Sequence, residues 1–159
     1  MSDSAQRVVD TLTERGLTIA VAESLTGGLI AAAITEIPGA SAVLRGGVVA
    51  YATDVKVSVL GVDADLVAEH GAVHADVAEQ MAVGVARLLG SDIGVACTGV
   101  AGPDPQDGQP PGQVFIAVAT ASGTRVHDLT VPGDRERVRA GTVEHALGMV
   151  LRAVGLPTS

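Results

Sequence analysis

The 159-residue sequence predicts an α/β fold, a mixed, mostly parallel sheet of about five strands with helices on both faces. Three observations predict it. Short, nearly all-apolar runs with β-branched residues alternate with segments of helical apolar spacing. Two further runs meet at Ser122-Gly123, a hairpin signal that adds one antiparallel pair. Apolar residues make up 47% of the chain and are almost all aliphatic, with one Phe, one Tyr and no Trp. That share is enough for one core, and the length fits one domain, expected over 1–159 with its core over about 5–154.

Each element has its own signal. Ala5, Val8, Val9 and Leu12 have the spacing of an amphipathic helix over 3–15, stopped by Gly16. Leu17 to Ala22 reads as a buried strand, and Glu23-Ser-Leu-Thr-Gly-Gly28 as a turn. An Ala/Ile-rich helix follows from about Gly28 to Glu36 and ends at Ile37-Pro-Gly39. Gly47 to Tyr51 reads as a second buried strand, with Thr53 as the cap of a short helix through Lys56 and Leu60. Asp63 to His70 is a short helix closed by Gly71, and Val77, Met81, Val85 and Leu88 mark a longer one over about 75–89. Asp92 to Cys97 is the third strand, 98–112 a loop, 114–120 and 124–131 the hairpin, and a final helix starts near Asp134.

In sheets of this kind ligands gather beyond the carboxyl ends of the parallel strands. Here those ends are the 23–28 turn, the 51–56 segment and the 98–112 loop.

Composition excludes several classes. The net charge is −8, no basic run offers a phosphate-tracking stripe, and aromatic stacking platforms are absent, so no nucleic-acid partner is expected. A single cysteine, Cys97, rules out an internal disulfide framework and points to a reducing compartment. The polar start MSDSAQRVVD is no signal peptide, and no apolar run reaches the roughly 18 residues of a membrane span. The expectation is a cytoplasmic protein with no membrane partner. His70 and His74 are four apart, but Gly71 breaks the helix between them and no Cys/His cluster has zinc spacing, so no metal site is expected.

The residues able to do chemistry gather at the strand ends. Ser24 sits where a strand hands over to a helix, with Gly27 and Gly28 allowing close approach to the backbone. It is either a nucleophile beside an oxyanion site or an ordinary turn and cap residue. Tyr51 is the only tyrosine, and Lys56 is the only lysine against nine arginines. A buried lysine can serve as a general base, which arginine cannot; the alternative is a solvated helix face. The 98–112 loop lacks both the triphosphate-loop and the dinucleotide signature, leaving a rigid pocket wall or a plain surface connection. Arg135 and Arg139 share one face at the start of the last helix, a placement that an anion would ease but that Asp134 and Glu136 could equally neutralise.

Taken in order, Ala22-Glu-Ser-Leu-Thr-Gly-Gly28, Gly46-Gly-Val-Val-Ala-Tyr51 with Lys56, Leu60-Gly-Val62, His70-Gly-Ala-Val73, Thr98-Gly-Val-Ala-Gly-Pro103, Pro111-Gly112 and Gly133-Asp-Arg135 with Arg139 resemble the carboxy-terminal domain family of the competence-damage-inducible protein CinA. The resemblance implies a three-layer α/β/α sandwich, often a homodimer, with no metal or cofactor. It implies a nicotinamide-nucleotide amidohydrolase that converts nicotinamide mononucleotide to nicotinic acid mononucleotide and ammonia in pyridine nucleotide recycling. On that resemblance Ser24 is the nucleophile, with Tyr51 and Lys56 as its activating partners. Thr26, Gly27, Gly28, Thr98, Gly99 and Gly102 line the pocket, and Arg135 and Arg139 receive the phosphate. The chain departs from the family's usual residues at Leu25, His74 and Gln109-Pro-Pro-Gly-Gln113. The last two motivate a competing reading, a non-catalytic nucleotide-binding module of the same fold. Longer relatives carry an additional pyrophosphatase domain, an activity not expected of this chain.

Overall fold

The computed structural model describes residues 2–157. The domain expected over 1–159 extends beyond these at Met1, Thr158 and Ser159. The elements run α1 (Asp3–Arg15), β1 (Ile19–Glu23), α2 (Leu29–Thr35), β2 (Leu44–Val49), α3 (Thr53–Ser58), α4 (Ala64–His70), α5 (Ala75–Leu89), β3 (Ile93–Gly99), β4 (Gln113–Thr120), β5 (Gly123–Thr130) and α6 (Arg135–Ala153). The five strands form one sheet in the order β2-β1-β3-β4-β5. β1 pairs parallel with β2 and β3, while β3–β4 and β4–β5 are antiparallel. Only β4 therefore runs against the others, and the sheet is mixed with a parallel majority, as expected.

Alternation along the strands separates two cores. Ile19, Val21, Ile93, Val95, Val114, Ile116 and Val118 face one side, where α1, α2 and α6 pack. Ala20, Ala22, Ala96, Ala117 and Ala119 face the other, where α5 lies. The small residues bring α5 close to the sheet: a Cβ on Gly94 would sit 2.0 Å from the Ala82 carbonyl oxygen of α5. This is the three-layer α/β/α arrangement. Dense aliphatic packing of this kind tolerates little change in volume.

Three local readings are revised. β2 starts at Leu44 rather than Gly47, ends at Val49 and alternates between half-buried and exposed residues. It is one of the two edge strands, with a neighbour on one side only, so it is not the buried strand that its apolar run suggested. Tyr51 lies beyond it and is 59% exposed. Ala52, not Thr53, is the N-cap of α3. β3 continues through Thr98 and Gly99 because both pair with β4, so the loop begins at Val100. The remaining elements match to within about two residues: β1 starts at Ile19 rather than Leu17 and takes in Glu23, α3 ends at Ser58 rather than Leu60, and Asp63 and Gly71 are the N-cap and C-cap of α4. Among the described residues no helix is long and apolar enough to cross a membrane.

Candidate active site

The carboxyl ends of β1, β2 and β3 lie at one edge of the sheet. β5 points the same way and delivers the start of α6 to that edge as well. A cavity of about 380 Å³ opens there, lined by Ser24, Tyr51, Lys56, Thr98, Gly99 and Arg135 together with the wall 100–106.

Lys56 is the centre of this site. It is 1% exposed, although it sits on a six-residue helix near the surface. Its Nζ lies 3.1 Å from Ser24 Oγ, 2.7 Å from the Ala50 carbonyl oxygen and 3.3 Å from that of Tyr51. Burial pushes its pKa below the ordinary 10.5, and charge on Cys97 and Asp107 acts in the opposite direction. The solvated-face alternative is thereby removed. The three neighbours satisfy either form of the amine. An ammonium donates to all three; a neutral amine donates to the two carbonyls, which can only accept, and turns its lone pair to the Ser24 hydroxyl. The proton can thus come and go without movement of the side chain.

Ser24 follows β1 directly, and its N–H donates to the Cys97 carbonyl across the sheet at 3.2 Å. The turn after it is held by three devices. Gly27 N–H donates to the Ser24 carbonyl at 3.0 Å. Thr26 Oγ1 meets Cys97 Sγ at 3.1 Å. Arg139 donates to the Leu25 and Thr26 carbonyls at 3.0 and 3.1 Å. Cys97 is fully buried and burial pushes its pKa up to about 11, so it stays a thiol beneath the turn.

The start of α2 is occupied from within. Glu23, 1% exposed, accepts from the Ile30 and Ala31 N–H groups at 2.8 and 3.1 Å. A helix start does attract an anion, but here the anion belongs to the chain. Sequence reading noticed Glu23 only as part of a motif. Its signal was an acid ending an otherwise apolar strand just before a glycine turn.

The expected site residues therefore divide. Ser24, Tyr51, Lys56, Thr98, Gly99, Gly102 and Arg135 meet at the cavity. Thr26, Gly27, Gly28 and Arg139 do not line it; they build and brace the turn that presents Ser24. The Gly27 N–H is taken by Ser24 itself, so it is not a free oxyanion donor. Arg139 spends its guanidinium on two carbonyls, which leaves Arg135 as the arginine of the cavity. Arg135 donates to the Gly102 carbonyl at 2.9 Å and to the Tyr51 hydroxyl at 3.1 Å. Tyr51 touches Lys56 through its carbonyl, whereas its phenol turns toward Arg135. Among the described residues no group of three His, Cys, Asp or Glu could hold a metal ion. His70 and His74 stack at 4.7 Å between ring centroids. His74 caps α5 through the Asp76 N–H.

Residues 1–154 match the family model of the CinA C-terminal domain. A CinA-like protein of Frankia casuarinae is 50% identical over 159 residues, covering 99% of this chain and 37% of that protein. This chain spans about a third of the length of the curated relatives it matches. The crystal structure of the competence/damage inducible protein CihA from Agrobacterium tumefaciens is 38% identical, with a TM-score of 0.91 over 94% of this chain and 93% of that one. A competence-damaged protein (CinA) superfamily protein from Klebsiella pneumoniae is 33% identical, with a TM-score of 0.92 over 96% of both chains. The order of motifs, the sheet and these matches agree: the chain belongs to the CinA C-terminal domain family.

Proposed function

We propose that this domain is a nicotinamide-nucleotide amidohydrolase, releasing ammonia from nicotinamide mononucleotide and leaving nicotinic acid mononucleotide. The observation that carries the reading is the buried Lys56 amine at 3.1 Å from Ser24 Oγ, in the wall of a cavity that Arg135 also lines. A lysine desolvated beside a hydroxyl is how a weak nucleophile gains a base.

The steps follow from the contacts. Neutral Lys56 takes the Ser24 proton directly, and Ser24 Oγ attacks the carboxamide carbon. The tetrahedral intermediate collapses, the C–N bond breaks, and the Lys56 ammonium returns the proton to the departing ammonia. Water attacks the resulting ester, Lys56 takes one of its protons and gives it to Ser24 Oγ as the C–Oγ bond breaks, and the acid leaves as a carboxylate, its remaining proton passing to solvent. Tyr51 stands at the rim and orients Arg135, whose guanidinium receives the phosphate.

A second reading keeps Lys56 as an ammonium that stabilises negative charge, with Ser24 only positioning substrate. The three acceptors around Nζ favour it as well. Ammonia release from nicotinamide mononucleotide by the purified protein tests the first reading. Ser24→Ala is expected to abolish release while circular dichroism stays unchanged, and rapid quenching should trap an acyl group on Ser24. Retention of most activity in Ser24→Ala would reduce Ser24 to a turn residue.

A further inference from the structure

The loop between β3 and β4 ends in a tight reversal. Gln106 and Gln109 exchange backbone hydrogen bonds at 3.1 and 2.8 Å around Asp107-Gly108. Both central residues have positive φ, 51° and 75°, the geometry of a two-residue hairpin turn. Asp107 is the only non-glycine residue with positive φ among the described residues. Aspartate is one of the few side chains that tolerates this left-handed conformation, and here its carboxylate is anchored as well.

What holds it lies on the far side of the site. Asp107 Oδ2 accepts the Ala72 N–H at 2.9 Å. Gly71 makes room, since a Cβ there would lie 2.7 Å from the Asp107 side chain. The other backbone group of Ala72 is taken by Thr98, whose Oγ1 donates to its carbonyl at 2.8 Å. Ala72 is thus clamped between the end of β3 and the loop tip, and it lines the cavity, whereas Asp107 does not.

The carboxylate has a second effect. Lys56 is faced by the Ser24 hydroxyl, the Ala50 and Tyr51 carbonyls, the Cys97 thiol of β3 and, electrostatically, Asp107. Asp104, Arg135 and the Tyr51 phenol stand around the same cavity, while Glu23 is turned away to α2. Cys97 is uncharged at neutral pH, because burial holds it up at about 11. Of the two groups that favour the Lys56 ammonium, Asp107 is the carboxylate, and the Ala72 N–H holds it in place.

We infer that Asp107 is a positioning residue of the Ser24–Lys56 site: it latches the loop tip to Gly71–Ala72 and presents a fixed negative charge to the buried amine. The kinetic consequence rests on the amidohydrolase reading, but the structural one does not.

The chain has one lysine, so 13C-lysine labelling gives a single side-chain signal set that needs no assignment. The experiment titrates that signal by NMR in the wild type, Asp107→Asn and Asp107→Ala, and follows amide exchange at Ala72. Asn tolerates positive φ and keeps an acceptor, so Asp107→Asn removes charge while sparing the latch. Both variants should titrate Lys56 at lower pH than the wild type, because a negative charge favours the ammonium. Only Asp107→Ala should free Ala72, with exchange faster by about tenfold, the loss expected for one hydrogen bond. With nicotinamide mononucleotide as substrate, the rising limb of the pH–rate profile should move to lower pH in both variants, and KM should rise several-fold in Asp107→Ala alone. An unmoved Lys56 titration in Asp107→Asn, or unchanged Ala72 exchange in Asp107→Ala, overturns the inference. Both readouts stand even if no ammonia is released from that substrate.

Discussion

Of the ten basic residues nine are arginine, and the single lysine is the one that is buried against a hydroxyl. The two residue types divide the work by chemistry. Arg139 and Arg135 donate to carbonyls with a planar fork, and neither needs to lose a proton. Lys56 occupies a site where a compact, titratable amine fits between two carbonyls and a serine. If it is the base, Lys56→Arg should be nearly as damaging to ammonia release as Lys56→Ala. A sizeable residual rate in Lys56→Arg would favour the charge-stabilising reading instead. The arginines predict a split in the opposite sense. Arg135→Ala should raise KM for the mononucleotide, with the loss of a charge-assisted contact worth roughly 1.5–3 kcal/mol. Arg139→Ala removes two hydrogen bonds from the Ser24 turn and should appear as lost stability, about 1–2 kcal/mol by urea unfolding after allowance for its partial exposure. A rise in KM with unchanged stability in Arg139→Ala would restore it to the phosphate site.

At the scale of elements, the alternation of large and small residues does most of the positioning. Ile-Ala-Val-Ala in β1 and Ile-Gly-Val-Ala in β3 put bulk toward α1, α2 and α6 and draw α5 onto the opposite face. Gly94→Ala tests this closeness: its Cβ would meet backbone of α5 at 2.0 Å, so the helix must shift, and a loss of about 3 kcal/mol is expected in urea unfolding. A change below about 0.5 kcal/mol would mean that α5 can move freely. This alternation is also why the fold was readable: β1, β3 and the hairpin are apolar runs of strand length, and their order leaves few topologies. Ser24 and Lys56 were readable for a related reason, since strand ends and a lone lysine are visible without coordinates. What escaped was contact between distant segments. Nothing in the sequence around Glu23 says that its carboxylate reaches the start of α2 seven residues on. Nor does anything near Arg139 show that its guanidinium is taken by carbonyls 113 and 114 residues away. The edge position of β2 was equally hidden, because an apolar run with two glycines reads alike at an edge and at a centre.

For the whole molecule, the site has a signature in stability that is independent of any substrate. Burying Lys56 lowers its pKa, so over the window from that lowered value up to the ordinary 10.5 the unfolded chain binds a proton that the native state does not. Stability then rises with pH through this window, because deprotonation relieves the cost of a buried ammonium. Below the window both states hold the proton and the slope vanishes; above it both have lost it. Cys97 contributes with the opposite sign. Its pKa is raised from 9.0 to about 11, so between those values the native state keeps a proton that the unfolded chain has released, and stability falls as pH rises. The two effects oppose each other at alkaline pH in the wild type and would mask each other in a single curve. Lys56→Met separates them, since Met retains much of the volume and Cys97 is common to both proteins. The variant also leaves Ser24 and two carbonyls without the amine, so its absolute stability differs, and the slope is the quantity to read. Urea unfolding at a series of pH values should give a wild-type minus variant difference that grows with pH through the window and levels off above about 10.5. A difference that stays flat up to that point would mean that Lys56 titrates alike in the folded and unfolded chain. The neutral amine required for taking the Ser24 proton would then be absent near neutral pH, leaving the ammonium to stabilise charge in its place.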